Sequence, residues 1–477
     1  MSTQDHALPQ RQSPLGISVL IVGGGIAGLM AALELWRQGL DVQVIERSPA
    51  RLTAGDGFTI SHTAMRAFNK WPYLKQKNKE ITWTAWIAWH NFKGERLTEP
   101  ENMEFKATKD SDKEIYEETD GLSPELHRHS RPKFHLMLET QLEQVGIKVQ
   151  YGHRAVRYFE NPEKCTAGVE LDNGKVLEAD LVVAADGIGS HSTNITMGHE
   201  VRARSTGISI YRTAYSAEIV NSDPEIVEKF EMAPNGSPVI QLWIGEGLLA
   251  TFSRNEFDMG WSITHKIAKG SSESWSKAVS VEDVFESIPE MNDWPDYARR
   301  VIELTPKDKL LDFELVWRDP QPIWTSSSGL IVQIGDAAHT FLPSSGNGAN
   351  QGLEDAISLA KCLRIAGKKG SIPDATKVHN KLRLTVEKYG HNDKGVLNYT
   401  PRPKYLRMLM APWTWKHDPE KYAEERYHEA LCALKDGTPF QSTNTPPGHV
   451  FKPWTFESVI KAMQDGEDAG FDGEWEG

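Results

Sequence analysis

The segment Gly23-Gly24-Gly25-Ile26-Ala27-Gly28 constrains this chain more than any other. It follows directly on an apolar run, Ile17 to Val22, and opens a helical stretch that reaches Arg37 and stops before Gly39; a second apolar run, Val42 to Ile45, comes next. Strand, helix and strand within about 30 residues imply two parallel strands joined by a right-handed crossover. The glycines then have separate tasks. Gly23 permits the tight turn, Gly25 lets bare backbone approach a pyrophosphate, Gly28 lets helix pack on strand, and the positive end of the helix stabilises the phosphate charge. Glu46, about 20 residues on and ending the second strand, is placed to accept hydrogen bonds from an adenosine ribose. An acid there favours FAD or NAD over NADP.

Downstream, the pattern alternates between two kinds of material. Arg131 to Gly146 reads as a helix, with Pro132 in its first turn, Phe134, Met137, Leu138, Leu142 and Val145 on one face, and Gly146 just past its end; Ile147 to Tyr151 follows as a strand. In contrast, Ile81 to Trp89, Gly207 to Ile219, Ser237 to Ile244, Leu248 to Phe252 and Gly260 to His265 are rich in aromatic and β-branched residues, with Gly245-Glu246-Gly247 as a turn. These strands predict an antiparallel sheet separate from the parallel one. After Asp374 the chain reads as mostly helical. The fold class is therefore α/β: a Rossmann-like dinucleotide-binding layer, read as FAD-binding once the signatures below are added, with an inserted antiparallel β domain, the expected substrate domain, and a helical C-terminal part. We place the dinucleotide-binding domain at 17–76, 112–200 and 326–375, the β-rich domain at 77–111 and 201–325, the helical region at 376–463, and flexible ends at 1–16 and 464–477.

Two further signatures follow at long spacing: Asp180-Leu181-Val182-Val183-Ala184-Ala185-Asp186-Gly187-Ile188-Gly189-Ser190, and Gly335-Asp336-Ala337-Ala338-His339 running on through Pro343 to Gly346-Asn347-Gly348-Ala349-Asn350. Leu330 to Ile334 reads as a strand, and Asp336 at its end is an acceptor suited to a ribityl hydroxyl. Gly346 to Asn350 reads as a loop before a helix over Gln351 to Leu363. Its glycines let backbone N–H groups reach a planar ligand, and the helix dipole would stabilise negative charge on the N1 and C2 edge of a reduced flavin.

Together the three signatures resemble the flavin-dependent aromatic hydroxylases typified by para-hydroxybenzoate and salicylate hydroxylases, and most of the chain is covered by the resemblance. It is similar in particular to fungal secondary-metabolite FAD monooxygenases, including those acting on indole alkaloids. The resemblance implies FAD as cofactor, NADPH or NADH as co-substrate, and O2 used through a flavin C4a-hydroperoxide. The reaction implied is hydroxylation, epoxidation or dearomatisation of an electron-rich aromatic small molecule of indole or phenol type. It assigns Gly23, Gly25, Gly28, Glu46, Arg47, Gly57, Arg131, Asp186, Asp336, Pro343, Gly348, Ala349 and Asn350 to the cofactor site. Arg131, followed by Phe134 and Leu138, matches the family arginine that contacts the flavin nucleotide. Where many members have an arginine three residues after the serine of the second signature, this chain has Thr193, which weakens the nicotinamide part of the match.

For the chemistry, the resemblance points to Arg212 and Asp56. Relatives that oxidise phenols or indole alkaloids place an arginine over the flavin where Arg212 stands, and a fixed cation there could stabilise a phenolate or polarise a hydroperoxide. An edge-strand arginine facing water is the bland reading. Asp56, between Gly55 and Gly57, matches an aspartate of an indole-alkaloid subgroup and is suited to hold an amine or indole N–H; a turn-forming aspartate is its alternative. Phenol-dearomatising members carry a tyrosine where Phe252 stands, and its replacement tilts the reading toward nitrogen-bearing rings. Trp83, Trp86 and Trp89 are expected on one strand of the substrate domain, as core more readily than as pocket lining.

Composition bounds the rest. With a formal net charge of −13, the chain lacks the clustered cations that a nucleic-acid or anionic-membrane partner demands. Cys165, Cys362 and Cys432 suggest neither a disulfide framework nor a metal site. Residues 1 to 16 are polar without a signal pattern, and Ile17 to Leu35, interrupted by three glycines and Glu34, is no membrane span. The expectation is a cytoplasmic monomer or homodimer without a metal. Trp413-Thr414-Trp415 comes too late, and lacks the continuation, to mark a flavin halogenase. A non-catalytic redox-sensing flavoprotein and a catabolic salicylate-type phenol hydroxylase stay open as alternatives.

Overall fold

The computed structural model describes residues 8–51, 57–84, 86–102, 127–245, 248–267, 279–340, 347–390 (backbone alone from 384), 417–443 and 457. Five short strands form a parallel sheet in the order Ile331–Gln333, Leu181–Ala184, Ser18–Val22, Asp41–Ile45, Val149–Gln150. Ile21 lies between Val44 and Val183, and Val183 in turn beside Val332. All four of these side chains are fully buried, which explains why the strands read as continuous apolar runs: a parallel sheet is covered on both faces. The helices Ile26–Arg37 and Gly348–Ala366 pack on each other, and the Arg131–Gln144 helix packs on the first of them.

A three-stranded antiparallel meander, Ala155–Asn161, Thr166–Leu171 and Val176–Ala179, also touches this sheet. It is absent from the expected strands, although Asn161-Pro162 and Asn173-Gly174 mark its two turns. Two helices close the chain's described part, Ile372–Gly390 and Pro419–Asp436, as the pattern after Asp374 suggested. Among the described residues no helix is long and apolar enough to cross a membrane.

The larger sheet has seven strands in the order Leu311–Trp317, Arg204–Ser216, Asp258–Lys266, Leu248–Arg254, Val239–Gly245, Trp86–Asn91, Glu101–Asn102, antiparallel except where Trp86–Asn91 joins Val239–Gly245. Its alternating residues divide cleanly. Tyr211, Trp243, Phe252, Trp261 and Ile263 are buried on one face, in a core shared with the helices Val281–Ser287 and Asp296–Glu303. A small third sheet, Gly57–Ile60, His127–Ser130 and Thr82–Thr84, completes the β structure.

Two expectations need correction. The strand expected over Ile81 to Trp89 is three pieces: Ile81 ends the helix Pro72–Ile81, Thr82–Thr84 pairs with His127–Ser130, and Trp86–Asn91 belongs to the seven-stranded sheet. Trp83 and Trp89 therefore lie in different sheets. Periodicity is the same in both pieces and cannot say which partner each will find. The helix expected from Gln351 begins at Gly348, because Gly348 and Ala349 take helical dihedrals that their composition disguised.

Candidate functional site

The three signatures meet through their glycines. Gly23 has φ +114°, and a Cβ there would lie 2.2 Å from the carbonyl oxygen of Ala185 at the end of strand Leu181–Ala184. A Cβ on Gly28 would lie 2.0 Å from the carbonyl oxygen of Gly23. Ala27, on the fingerprint helix, faces Gly335 and Gly352: a Cβ on either would come within 3.0 or 3.1 Å of the Ala27 Cβ. Segments far apart in sequence thus converge within van der Waals contact at the C-terminal edge of the parallel sheet, where open α/β sheets bind ligands.

Gly25 differs in kind. Its φ of −73° suits any residue, and a Cβ on it would meet nothing within 4 Å. Among the described residues nothing crowds this position, which leaves bare backbone open to a ligand where a pyrophosphate would sit. The Ile26–Arg37 helix that Gly25 opens has no side-chain cap and no acidic residue in its first turn, so its first N–H groups and dipole face that space. The Gly348–Ala366 helix begins in the same way, uncapped by Asn347 and without an acid in its first turn. Two parallel, uncapped helix N-termini fit a ligand with a pyrophosphate and an electron-rich ring edge.

Glu46 is held at the tip of its strand: one carboxylate oxygen accepts from the Gly24 N–H (2.8 Å) and the other from the Ser48 N–H (2.9 Å). Arg47 beside it is exposed. The imidazole of His135 donates to the Gly24 carbonyl at 2.7 Å; burial lowers its pKa, keeping the ring neutral for that bond.

At the other end, the small sheet brings Gly57 next to Ser130 and so beside Arg131, which starts its helix exposed. A Cβ on Gly57 would come 2.7 Å from the guanidinium of Arg128, whose other nitrogen donates to Thr59 Oγ1 at 3.3 Å. Asn350 clamps this strand onto the second helix, accepting from the Ser61 N–H at 2.7 Å. Asn350 is 4% exposed, whereas Gly348 and Ala349 before it are half-buried and reach the surface.

Asp336 is the one exposed residue between 331 and 340. Protein packed around it raises its carboxyl above the usual carboxylate range; His339, Arg131 and Arg318 pull it back and Asp355 pushes it up. The electrostatic reach of Arg131 to Asp336 brings two sequence-predicted residues together. Behind them, buried Asp355 accepts from the Gly335 N–H (2.9 Å), from His339 Nε2–H (2.6 Å) and from Arg383 Nε–H (2.8 Å), while Arg383 also pairs with Glu354 at 2.7 Å. Burial works against the Asp355 charge, but His339 and Arg383 outweigh it and hold the carboxyl well below the usual range.

Asp186 accepts from the Tyr158 hydroxyl at 2.7 Å; burial raises the pKa of both groups. Thr193, in the short helix Thr193–Thr196, is fully buried and accepts from the Val201 N–H at 3.3 Å. It packs inward.

Arg212 stands on a different element. It is half-buried on the face of the seven-stranded sheet opposite the aromatic core, in a cross-strand row Leu311, Arg212, Ser262, Thr251, Leu242, Trp89. The hydroxyls of Thr251 and Ser262 are hydrogen-bonded at 2.8 Å. Phe252 lies on the opposite face, 0% exposed, with Trp243 at 5.0 Å and Phe230 at 5.4 Å between ring centroids. The inference drawn from a phenylalanine at 252 is thereby corrected: a tyrosine hydroxyl there would enter the core, not the Arg212 face. Asp56 and Pro343 lie outside the described residues. Sequence reasoning missed His135, Arg128, Arg318, Tyr158 and Asp355, whose partners lie far away in sequence or are backbone groups, so that no local spacing marks them.

A family model described as an FAD binding domain matches residues 16–372. FAD-dependent monooxygenase fsr3 of Gibberella fujikuroi is 36% identical over 98% of this chain and 90% of its own length. FAD-dependent monooxygenase dmxR9 of a Cryptosporiopsis species is 34% identical over 99% and 92%. Among solved structures, CtdE in complex with FAD and substrate superposes with a TM-score of 0.74 at 27% identity, covering 88% of this chain and 100% of that one. A fingerprint with open space at Gly25, a family model that covers most of the chain, and relatives that align over nearly its whole length put this chain in the FAD-binding-domain family as an FAD-dependent monooxygenase.

Proposed function

We propose that the chain uses NADPH or NADH and O2 to hydroxylate, epoxidise or dearomatise an electron-rich aromatic small molecule of indole or phenol type in secondary-metabolite biosynthesis. Bound FAD, once reduced by the nicotinamide, supplies the activated oxygen. The chain's own residues do the rest. Gly23, Gly25 and the N-terminus of the Ile26–Arg37 helix would bind the pyrophosphate, Glu46 the adenosine ribose, and Asp336 a ribityl hydroxyl. The first-turn N–H groups of Gly348–Ala366 would stabilise the electron-rich edge of the ring.

The observation that carries the substrate reading is the Arg212 row. A half-buried guanidinium with Leu311 on one side and the Ser262 and Thr251 hydroxyls on the other, in a row that ends on Leu242 and Trp89, suits a flat apolar ring that bears one ionisable or polar substituent. Such a cation lowers the cost of developing negative charge on a phenolate or on a carbonyl formed by dearomatisation. With Phe252 facing the core, phenols and indoles are equally compatible.

The test is NADPH and NADH oxidation with product mass analysis across a panel of phenols and indoles. A product heavier by one oxygen atom is expected for at least one class. Arg212→Met should retain FAD while product formation falls by about a hundredfold or more, in line with loss of a charge-stabilising donor. Unchanged turnover in that variant would remove Arg212 from the reaction.

A further inference from the structure

Directly after strand Leu311–Trp317, the segment Arg318-Asp319-Pro320-Gln321 runs behind the Asp336 turn. Arg318 is 2% exposed. Its guanidinium donates to the carbonyls of Asp336 (2.7 Å) and Ala337 (2.8 Å), and its other terminal nitrogen lies 3.4 Å from the carbonyl of Ile188. Gln321 takes the next carbonyl, that of Ala338, at 2.8 Å. Trp324 then covers the brace, donating to the Gln321 carbonyl at 3.1 Å with its ring 5.1 Å from that of His339.

We propose that Arg318 is a positioning residue of the flavin site, which locks the Asp336 turn to the Gly187–Ser190 turn and holds the Asp336 side chain outward as a charged acceptor. Within the short 3-10 turn Gly335–Ala337 the Gly335 carbonyl accepts from the N–H groups of Ala338 and His339, while the turn's last carbonyls lie beyond the reach of its own N–H groups. Arg318 takes those of Asp336 and Ala337 and Gln321 that of Ala338, on the buried side. The turn's N–H end is fixed independently by Asp355, through Gly335. Held from both sides, the turn presents only Asp336 to the open site.

The fork geometry matters as much as the charge: one guanidinium reaches carbonyls of two separate signatures, which a single ammonium cannot do. The charge matters as well. The groups acting on the Asp336 carboxyl are His339, Arg131 and Arg318, which favour its ionised form, and Asp355, which opposes it. Removing Arg318 leaves two cationic groups against burial, and the carboxyl titrates at higher pH. A protonated Asp336 loses acceptor capacity toward a ribityl hydroxyl.

The inference rests on Asp336 meeting the flavin, so the experiment separates the two. The readout is the FAD dissociation constant of the apoprotein, by flavin fluorescence, at pH values from about 5.5 to about 8.5. Asp336→Asn should weaken FAD by about tenfold and flatten the acid-side pH dependence. Equal affinity at every pH would sink the Asp336 reading itself. With that reading standing, Arg318→Met should weaken FAD by about tenfold near pH 8.5 and by about a hundredfold near pH 5.5, as the midpoint of the pH dependence moves up. Arg318→Lys should lose affinity by about tenfold uniformly while keeping the wild-type midpoint. A loss in Arg318→Met that is the same at all pH values means a purely structural role and overturns the proposal, as does unchanged affinity. If Arg318→Met does not fold, Arg318→Lys decides: wild-type affinity in that variant shows that the fork is not needed and overturns the proposal.

Discussion

The fingerprint end of the flavin layer and the Arg212 face of the seven-stranded sheet are built by opposite means. At the first, most decisive contacts stay within one strand–helix–strand unit, Gly28 against Gly23 and Glu46 against Gly24 and Ser48, with Gly23 against Ala185 as the long-range one. At the second, no two neighbours in the chemically interesting row come from the same strand; Trp89, Leu242, Thr251, Ser262, Arg212 and Leu311 are aligned only by register. Local construction makes a site that tolerates little change in any one residue. Construction by register makes a wall whose individual side chains are exchangeable as long as the pairing holds.

The severest test of that contrast is Gly23→Ala. A Cβ at φ +114° meets the Ala185 carbonyl and has no side chain to displace, so we expect destabilisation by more than about 4 kcal/mol and no FAD retained. Gly25→Ala is its partner experiment. With ordinary dihedrals and open space, the apoprotein should unfold within about 0.5 kcal/mol of wild type, while FAD affinity falls by about tenfold or more. Equal FAD affinity in Gly25→Ala would mean that the glycine serves no ligand.

The cluster behind Asp336 is expected to respond next in size. Asp355→Asn leaves Arg383 and His339 facing a neutral amide in the interior, and breaking such a buried pair costs about 3 kcal/mol or more, measurable as a drop in the urea midpoint. Because the Asp355 carboxyl is held low in the folded state, its contribution is complete above the unfolded value near pH 4 and fades only as pH falls below that.

This difference also explains what could be read without coordinates. The fingerprint, its flanking strands and Glu46 were legible because spacing along the chain fixes spacing in space. The Arg131 helix was legible too, from one apolar face and a terminal glycine. Arg318 was not: its targets are the carbonyls of Ile188, Asp336 and Ala337, far away in sequence on one side and backbone groups on both. The facing of Phe252 was not legible either, since moving the register by one residue exchanges the two faces of a strand. The split of Ile81 to Trp89 between two sheets has the same origin.

Acidification should separate the two halves by a smaller amount. His379 and His417, in the flavin half, are pushed down to about 4 by burial, and His129 to about 3; in the seven-stranded sheet His90 is pushed down to about 4. For each, the unfolded chain binds a proton near pH 6.5 that the folded one refuses until lower pH. Stability is therefore full above about pH 6.5 and declines toward about pH 4, by about 1 kcal/mol per pH unit for each group. His379→Gln should make the decline between about pH 6.5 and about pH 5 shallower in urea unfolding. An unchanged slope would show that His379 is protonated in the native state.

The finest test uses adjacent positions on one strand. Phe252→Tyr places a hydroxyl among Phe230, Trp243 and Trp294, and we expect about 1 to 2 kcal/mol of destabilisation for the unpaired group, with the same products in the same ratio. Thr251→Val, one residue away, removes one hydroxyl of the Thr251–Ser262 pair on the Arg212 face. It should cost under about 1 kcal/mol in stability yet change KM for the substrate, because the hydroxyl row lies beside Arg212. The crossed outcome, product changes in Phe252→Tyr and none in Thr251→Val, would mean that the substrate meets the aromatic side of the sheet. The register-built wall would then have been assigned to the wrong face.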